Sequence, residues 1–183
     1  PSSIHQFGNR VGIAIKQARA QVQALLGAEH DSEIIFTSCG TESDSTAILS
    51  AIKAQPERKE IITTVVEHPA ILALCEQLEK EGYTIHRLPV DGKGRLDLHA
   101  YRELLSERVA IVSVMWANNE TGTLFPVEEM AELAKSASVL FHTDAVQAVG
   151  KLPIDLKRTA IDMLSLSGHK LHAPKGIGVL YLR

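Results

Sequence analysis

Seven apolar runs of strand length punctuate this chain: EIIFTS (33–38), EIITTVV (60–66), YTIHRLPV (83–90), VAIVSVMW (109–116), SVLFHTD (138–144), IDMLSLS (161–167) and IGVLYL (177–182). Most are rich in β-branched residues without strict alternation, the pattern of strands covered on both faces. Between the earlier runs lie segments of helical period: Val11–Leu26, Glu42–Gln55, Ala70–Glu81, Leu98–Leu105 and Val127–Ser136. Pro69 suits the first turn of its helix, and Asp97 stands as a cap before LHAYRELL. Strand then helix, repeated, predicts an α/β fold: a doubly wound, mostly parallel seven-stranded sheet with helices on both faces. The last two runs are joined by a short loop with no room for a helix, so one of those strands runs against the rest.

With 183 residues, 45% of them apolar, and a net charge of −3, the chain fits one domain with a sizeable core. No run approaches the roughly 18 to 20 apolar residues of a membrane span, and PSSIHQFGNRVG lacks the layout of a signal peptide. The expectation is a cytoplasmic protein. Mild acidity and the lack of a Lys/Arg block argue against nucleic acid or a membrane surface as the partner. Cys39 and Cys75 are too few for a disulfide framework or a thiolate zinc site, and the sequon at Asn119 carries no weight in a cytoplasmic chain. No internal repeat or linker is visible. The chain opens on Pro1 and stops at Arg183 directly after an apolar run, which reads as a piece of something longer.

Ligands of doubly wound sheets collect at the carboxyl ends of the strands. The residues there are CGTES (39–43), EHPA (67–70), ANNETG (117–122), DAVQ (144–147) and SGHK (167–170). TSCGTESDS would start a helix whose free N–H groups and positive dipole end can seat an anion. Gly40 would allow close backbone approach and Thr41 would add a hydroxyl, while Glu42 and Asp44 read as ordinary acidic residues at a helix start. A bare capped helix is the competing reading of this stretch. Cys39 reads as a small residue packed in the turn, since no basic neighbour in sequence would activate it.

Asp144 closes an apolar run, and a buried carboxylate needs a cationic or donor partner. Two partners stay open: His142 on the same strand face, or the protonated ring nitrogen of a ligand. Lys170, between Gly168 and Leu171 at a strand end, reads as partly desolvated and hence a nucleophile toward carbonyls, with a Schiff base as the product. The competing reading is a surface lysine lying over the sheet edge. His169 and His172 have an HxxH spacing, but no third ligand stands at a recognisable interval, so no metal is expected.

Taken together, SGHKLHAPKGIG, DAVQ, NNETG, EHPA and GTESDS resemble the cysteine desulfurases, pyridoxal 5'-phosphate enzymes of the class-V aminotransferase family. The resemblance covers essentially the whole chain, with the NifS type nearest and the IscS type very similar. It implies the large domain of a fold-type-I pyridoxal 5'-phosphate-dependent transferase over residues 1–183, with an N-terminal segment and a C-terminal small domain outside it. It implies that Lys170 holds the cofactor and later moves the substrate Cα proton. Asp144 would pair with the ring nitrogen, and Gln147 would bond the ring's phenolic oxygen with Asn118 close by. His68 would stack on the ring and act as an acid or base. Gly40, Thr41, Ser167 and His169 would hold the phosphate.

The implied reaction takes L-cysteine and an acceptor thiol to L-alanine and a persulfide, with an iron–sulfur scaffold protein as sulfur acceptor, in nitrogenase assembly for the NifS type. A homodimer is implied for the full-length protein. In the family the sulfur-accepting cysteine and the arginine for the substrate carboxylate lie downstream of the lysine, beyond Arg183. Neither role passes to Cys39 or Cys75, and the 183 residues alone are expected to be inactive. Alternatives are another class-V aminotransferase, a selenocysteine lyase, or a non-catalytic doubly wound binding module.

Overall fold

A computed structural model describes residues 5–183, apart from the Phe7 side chain. The seven strands are β1 (Ile34–Thr37), β2 (Glu60–Thr64), β3 (Thr84–Leu88), β4 (Val109–Ser113), β5 (Leu140–Asp144), β6 (Met163–Ser167) and β7 (Gly178–Leu182). They form one sheet in the order β1-β7-β6-β5-β4-β2-β3. Only β7 is antiparallel to its neighbours, pairing β6 on one side and β1 on the other. This is the expected arrangement, and its reason is the expected one: the connection from β6 to β7 is too short for a parallel crossover.

Among the described residues, five α-helices cover the sheet: α1 (Gln6–Leu26), α2 (Gly40–Ala54), α3 (Pro69–Lys80), α4 (Leu98–Leu104) and α5 (Val127–Ser136). Strand side chains alternate between faces, and this divides the core in two. Ile61, Ile111, Met163 and Leu180 pack with Ala47, Ile48 and Ala51 of α2 and with Ile71, Cys75 and Leu78 of α3. Ile62, Val112, Phe141, Leu164 and Tyr181 pack on the opposite face with Leu26 of α1, Tyr101 of α4 and Met130 of α5. Both faces are therefore dry, which is why the strands carry apolar runs in place of an alternating pattern.

Asp97 caps α4 by accepting from the N–H groups of His99 and Ala100, and Pro69 occupies the first turn of α3. α1 begins at Gln6, five residues before the helical period becomes visible at Val11. His5 supplies its cap, with Nδ1 accepting from the Gly8 N–H at 3.1 Å. Among the described residues, no helix is long and apolar enough to cross a membrane.

A cavity of about 350 Å³ opens where β1, β2, β4, β5 and β6 end. Gly178 holds this region together. As the first residue of β7 it pairs with Thr37 of β1 and with Ser167 of β6. A Cβ placed on it would stand 2.5 Å from the backbone carbon of Cys39. Only a residue without a side chain lets the turn into α2 lie this close to the sheet.

Candidate active site

The cavity is built from four loops and one helix start. Gly40 and Thr41 come from the first turn of α2, and Asp144, Val146 and Gln147 from the end of β5. Ser167, His169 and Lys170 come from the end of β6, and His68 caps α3. The cavity thus brings together eight of the nine residues singled out in the sequence. Asn118 is outside it. Its Nδ2 donates to the Val66 carbonyl at 3.2 Å, and its Oδ1 accepts from the N–H groups of Glu120 and Thr121 at 3.0 Å, so the side chain is consumed in holding its own turn. Asn119 and Glu120 line the cavity instead.

One side of the cavity is suited to an anion. The α2 N-terminus presents its free N–H groups there, and Glu42 stabilises the turn from behind by accepting from Ser38 N and Oγ, both at 2.6 Å. A Cβ on Gly40 would meet Val146 Cγ2 at 3.0 Å, so that first turn sits tightly against the β5 loop. Beside it, with Ser167 Cβ only 3.5 Å from where that Cβ would stand, Ser167 Oγ and His169 Nδ1 are 2.8 Å apart. Cys39 caps α2 without a side-chain bond to it and also faces the cavity.

The floor is acidic. Asp144 is buried, with Oδ1 accepting from the Val146 N–H at 2.9 Å. Burial raises its carboxyl above the usual range, against the Val146 N–H and nearby His68, which favour the anion. His142 is not its partner. The His142 Nδ1 is 2.9 Å from Ser113 Oγ and its Nε2 is 2.9 Å from Ser165 Oγ, and complete burial pushes the imidazole down to about 3, so the ring is neutral.

Lys170 differs from the expected interior lysine. After β6 the chain enters a 3-10 turn, Gly168–Leu171, and both His169 and Lys170 are exposed on it. Gly168 is the reason: it packs so closely against Ile177 that a Cβ would stand 2.5 Å from that side chain. The turn is pressed onto the residue that precedes β7, and the next two residues are exposed. Lys170 therefore reaches the cavity from its mouth, while Asp144 reaches it from below.

The class-V aminotransferase profile matches residues 1–183, the whole chain. This chain belongs to the class-V aminotransferase family. Among members of that family, it is 76% identical to the cysteine desulfurase NifS of Azotobacter vinelandii over 183 residues, covering 100% of this chain and 46% of the relative. A solved NifS-like protein superposes with a TM-score of 0.95 at 38% identity, covering 100% of this chain and 51% of that one. SspA in complex with cysteine superposes at 0.94 with 39% identity, covering 100% and 53%. The chain spans about half the length of the curated relatives it matches.

Two further acidic side chains belong to this region without being singled out as site residues in the sequence: Asp44 lines the cavity, and Glu67 lies beside the cavity-lining His68. Glu67 is buried next to His68, with Oε1 accepting from Thr64 Oγ1 at 2.8 Å and both oxygens accepting from the Met115 N–H at 3.1 Å. Burial lifts its carboxyl to about 8. Asp44 is 3% exposed and lines the cavity instead of lying on the solvent side of a helix start. A signal existed for Asp44: it precedes Ala47, Ile48 and Ala51 by three, four and seven residues, on the apolar stripe of α2.

Proposed function

We propose that the full-length protein is a cysteine desulfurase that uses pyridoxal 5'-phosphate to convert L-cysteine and an acceptor thiol to L-alanine and a persulfide. The observation that carries this reading is the cavity shared by Asp144 and Lys170 beside the N-terminus of α2. An anion seat, a buried carboxylate in need of a cation and an amine at one opening fit a phosphate, a pyridinium nitrogen and an aldehyde. When bound, pyridoxal 5'-phosphate supplies the aldehyde for covalent capture and a ring that takes up the electron pair released at the substrate Cα.

The chain's own residues would divide the work. Gly40 and Thr41, with Ser167 and His169, would bind the phosphate. Asp144, kept dry by the sheet, would hold the proton on the ring nitrogen. Gln147 has its Oε1 taken by Lys151 Nζ at 3.1 Å, which leaves Nε2 to donate to the phenolic oxygen. His68 has Nδ1 committed to the Ala70 N–H at 3.2 Å, so its other nitrogen would face substrate or ring. Lys170, being exposed, can swing between the aldehyde and the substrate Cα proton without leaving a packed position.

The likeness to NifS over the whole chain supports L-cysteine as substrate, and an iron–sulfur scaffold protein of the nitrogenase system as sulfur acceptor. It equally supports a cytoplasmic homodimer, and the exposed Val11 and Ile13 on α1 offer apolar surface for a partner subunit. Residues 1–183 would be the cofactor-binding large domain, with the sulfur-accepting cysteine supplied from outside it. The test is to incubate the reconstituted full-length protein with L-cysteine and a thiol. Equimolar alanine and sulfide, abolished in Lys170→Ala, support the reading. Bound pyridoxal 5'-phosphate with selenocysteine or another amino acid as the only substrate would replace it with a related class-V activity, and failure to take up the cofactor would sink it.

A further inference from the structure

A line of buried polar side chains crosses the sheet beneath Asp144. Ser113 of β4, His142 of β5 and Ser165 of β6 are all fully buried and joined through the two imidazole nitrogens at 2.9 Å. Asp44 comes down onto this line from α2, with Oδ1 3.6 Å from His142 Nε2. That oxygen is buried and has no hydrogen-bond partner. A buried carboxylate oxygen that no donor reaches is costly as an anion, and protonation removes that charge; His142 Nε2 gives no relief, since Ser165 Oγ already takes it at 2.9 Å. His142 lies two residues before Asp144 on the same strand face, so the line ends against the cavity floor.

The charges around Asp44 point the same way. Burial is the largest influence and raises the Asp44 carboxyl well above its ordinary range, and Asp144, facing it from β5, disfavours a further negative charge; Glu67 and Cys39 add to this only when ionised. His142 is neutral and offers no compensation, and only the Ser165 hydroxyl favours the anion.

We propose that Asp44 is carried as the neutral acid, and that it is thereby a positioning residue that leaves Asp144 as the one anion on the cavity floor. The part concerning Asp144 rests on the proposed cofactor reading; the protonation of Asp44 does not. Two neighbouring carboxyls in a dry site divide one proton between them. Asp44 takes it because no donor reaches its Oδ1, whereas Asp144 already accepts an N–H bond from Val146 that favours its charged form.

Infrared spectroscopy of the cofactor-free full-length protein near neutral pH tests the first part. A protonated-carboxyl carbonyl band lost in Asp44→Asn and retained in Asp144→Asn is expected. A band set unchanged by Asp44→Asn, or one lost only in Asp144→Asn, overturns the proposal. Titration with pyridoxal 5'-phosphate tests the second part. Asp44→Ala should weaken binding tenfold or more, and Asp44→Asn, which keeps a neutral donor at the same place, should restore it to within about threefold. Asp44→Asn binding as weakly as Asp44→Ala would mean that the anion is needed, and would sink the positioning role. If the wild type takes up no cofactor, the reading of the cavity fails while the infrared result on Asp44 still stands or falls alone.

Discussion

Both carboxylate oxygens of Glu67 receive the backbone N–H of Met115 at 3.1 Å, so a buried acid ties the loop after β2 to the end of β4. The folded protein binds this proton up to about pH 8, whereas an unfolded glutamate releases it near 4.5. Between those values the folded state holds more protons, so stability falls as pH rises, by at most about 1.4 kcal/mol per pH unit for this one group. Glu67→Gln should flatten the fall, with Gln Oε1 taking over as acceptor. Urea denaturation of the full-length protein at several pH values between 5 and 8 checks it. An equally steep decline in both proteins would assign the pH dependence elsewhere, Asp44 being the next group to examine.

Gly178→Ala should be among the most damaging single-methyl additions in the domain. The new Cβ would press on the Cys39 backbone carbon at 2.5 Å and its carbonyl oxygen at 2.6 Å, neither of which can rotate away. A loss of about 1–3 kcal/mol or more is expected, together with weaker cofactor uptake because the α2 start must shift. Gly82→Ala serves as the comparison: a Cβ there meets nothing within 4 Å, but its φ of +92° strains an alanine by backbone conformation alone. Thermal denaturation and pyridoxal 5'-phosphate titration separate the two effects, since only Gly178→Ala should change cofactor affinity.

The exposed position of Lys170 makes it accessible from the cavity mouth. Borohydride reduction of the cofactor-loaded full-length protein should fix one pyridoxyl group to the peptide containing Lys170, read by mass spectrometry. Label found on Lys151 or Lys175 instead would remove Lys170 from its assigned role. Lys170→Ala should leave the fold intact, within about 0.5 kcal/mol, as expected for a surface substitution.

Tyr101 is fully buried under α5 and donates its hydroxyl to the Met130 carbonyl at 2.9 Å. Tyr101→Phe keeps the ring and removes that bond, so it should cost about 0.5–1.5 kcal/mol in urea denaturation. Cofactor affinity should not change, because Tyr101 lies on the face of the sheet opposite α2.

All seven strands and all five helices were legible in the sequence, because a strand covered on both faces needs an apolar run and an amphipathic helix needs its stripe. What escaped were features that depend on a third dimension. The helical period becomes visible five residues after α1 starts because Gln6, Asn9 and Arg10 carry no apolar period, and the cap is a histidine. Asp44 reads as a helix-start acid in sequence because its charge outweighs its place on the α2 stripe. The exposure of Lys170 follows from how tightly Gly168 meets Ile177, a distance no local pattern encodes. His142 and Asp144 share a strand face and read as potential partners, but the serines that take both imidazole nitrogens come from the two adjacent strands.

Because Gly178 is paired with Thr37 on one side and Ser167 on the other while touching Cys39, the anion seat and the lysine turn are referenced to a single peptide unit. Thermal wandering of either would carry the other along with it. Under the proposed cofactor reading, the span between a phosphate at α2 and an aldehyde within reach of Lys170 would thereby stay constant even when the surrounding loops breathe.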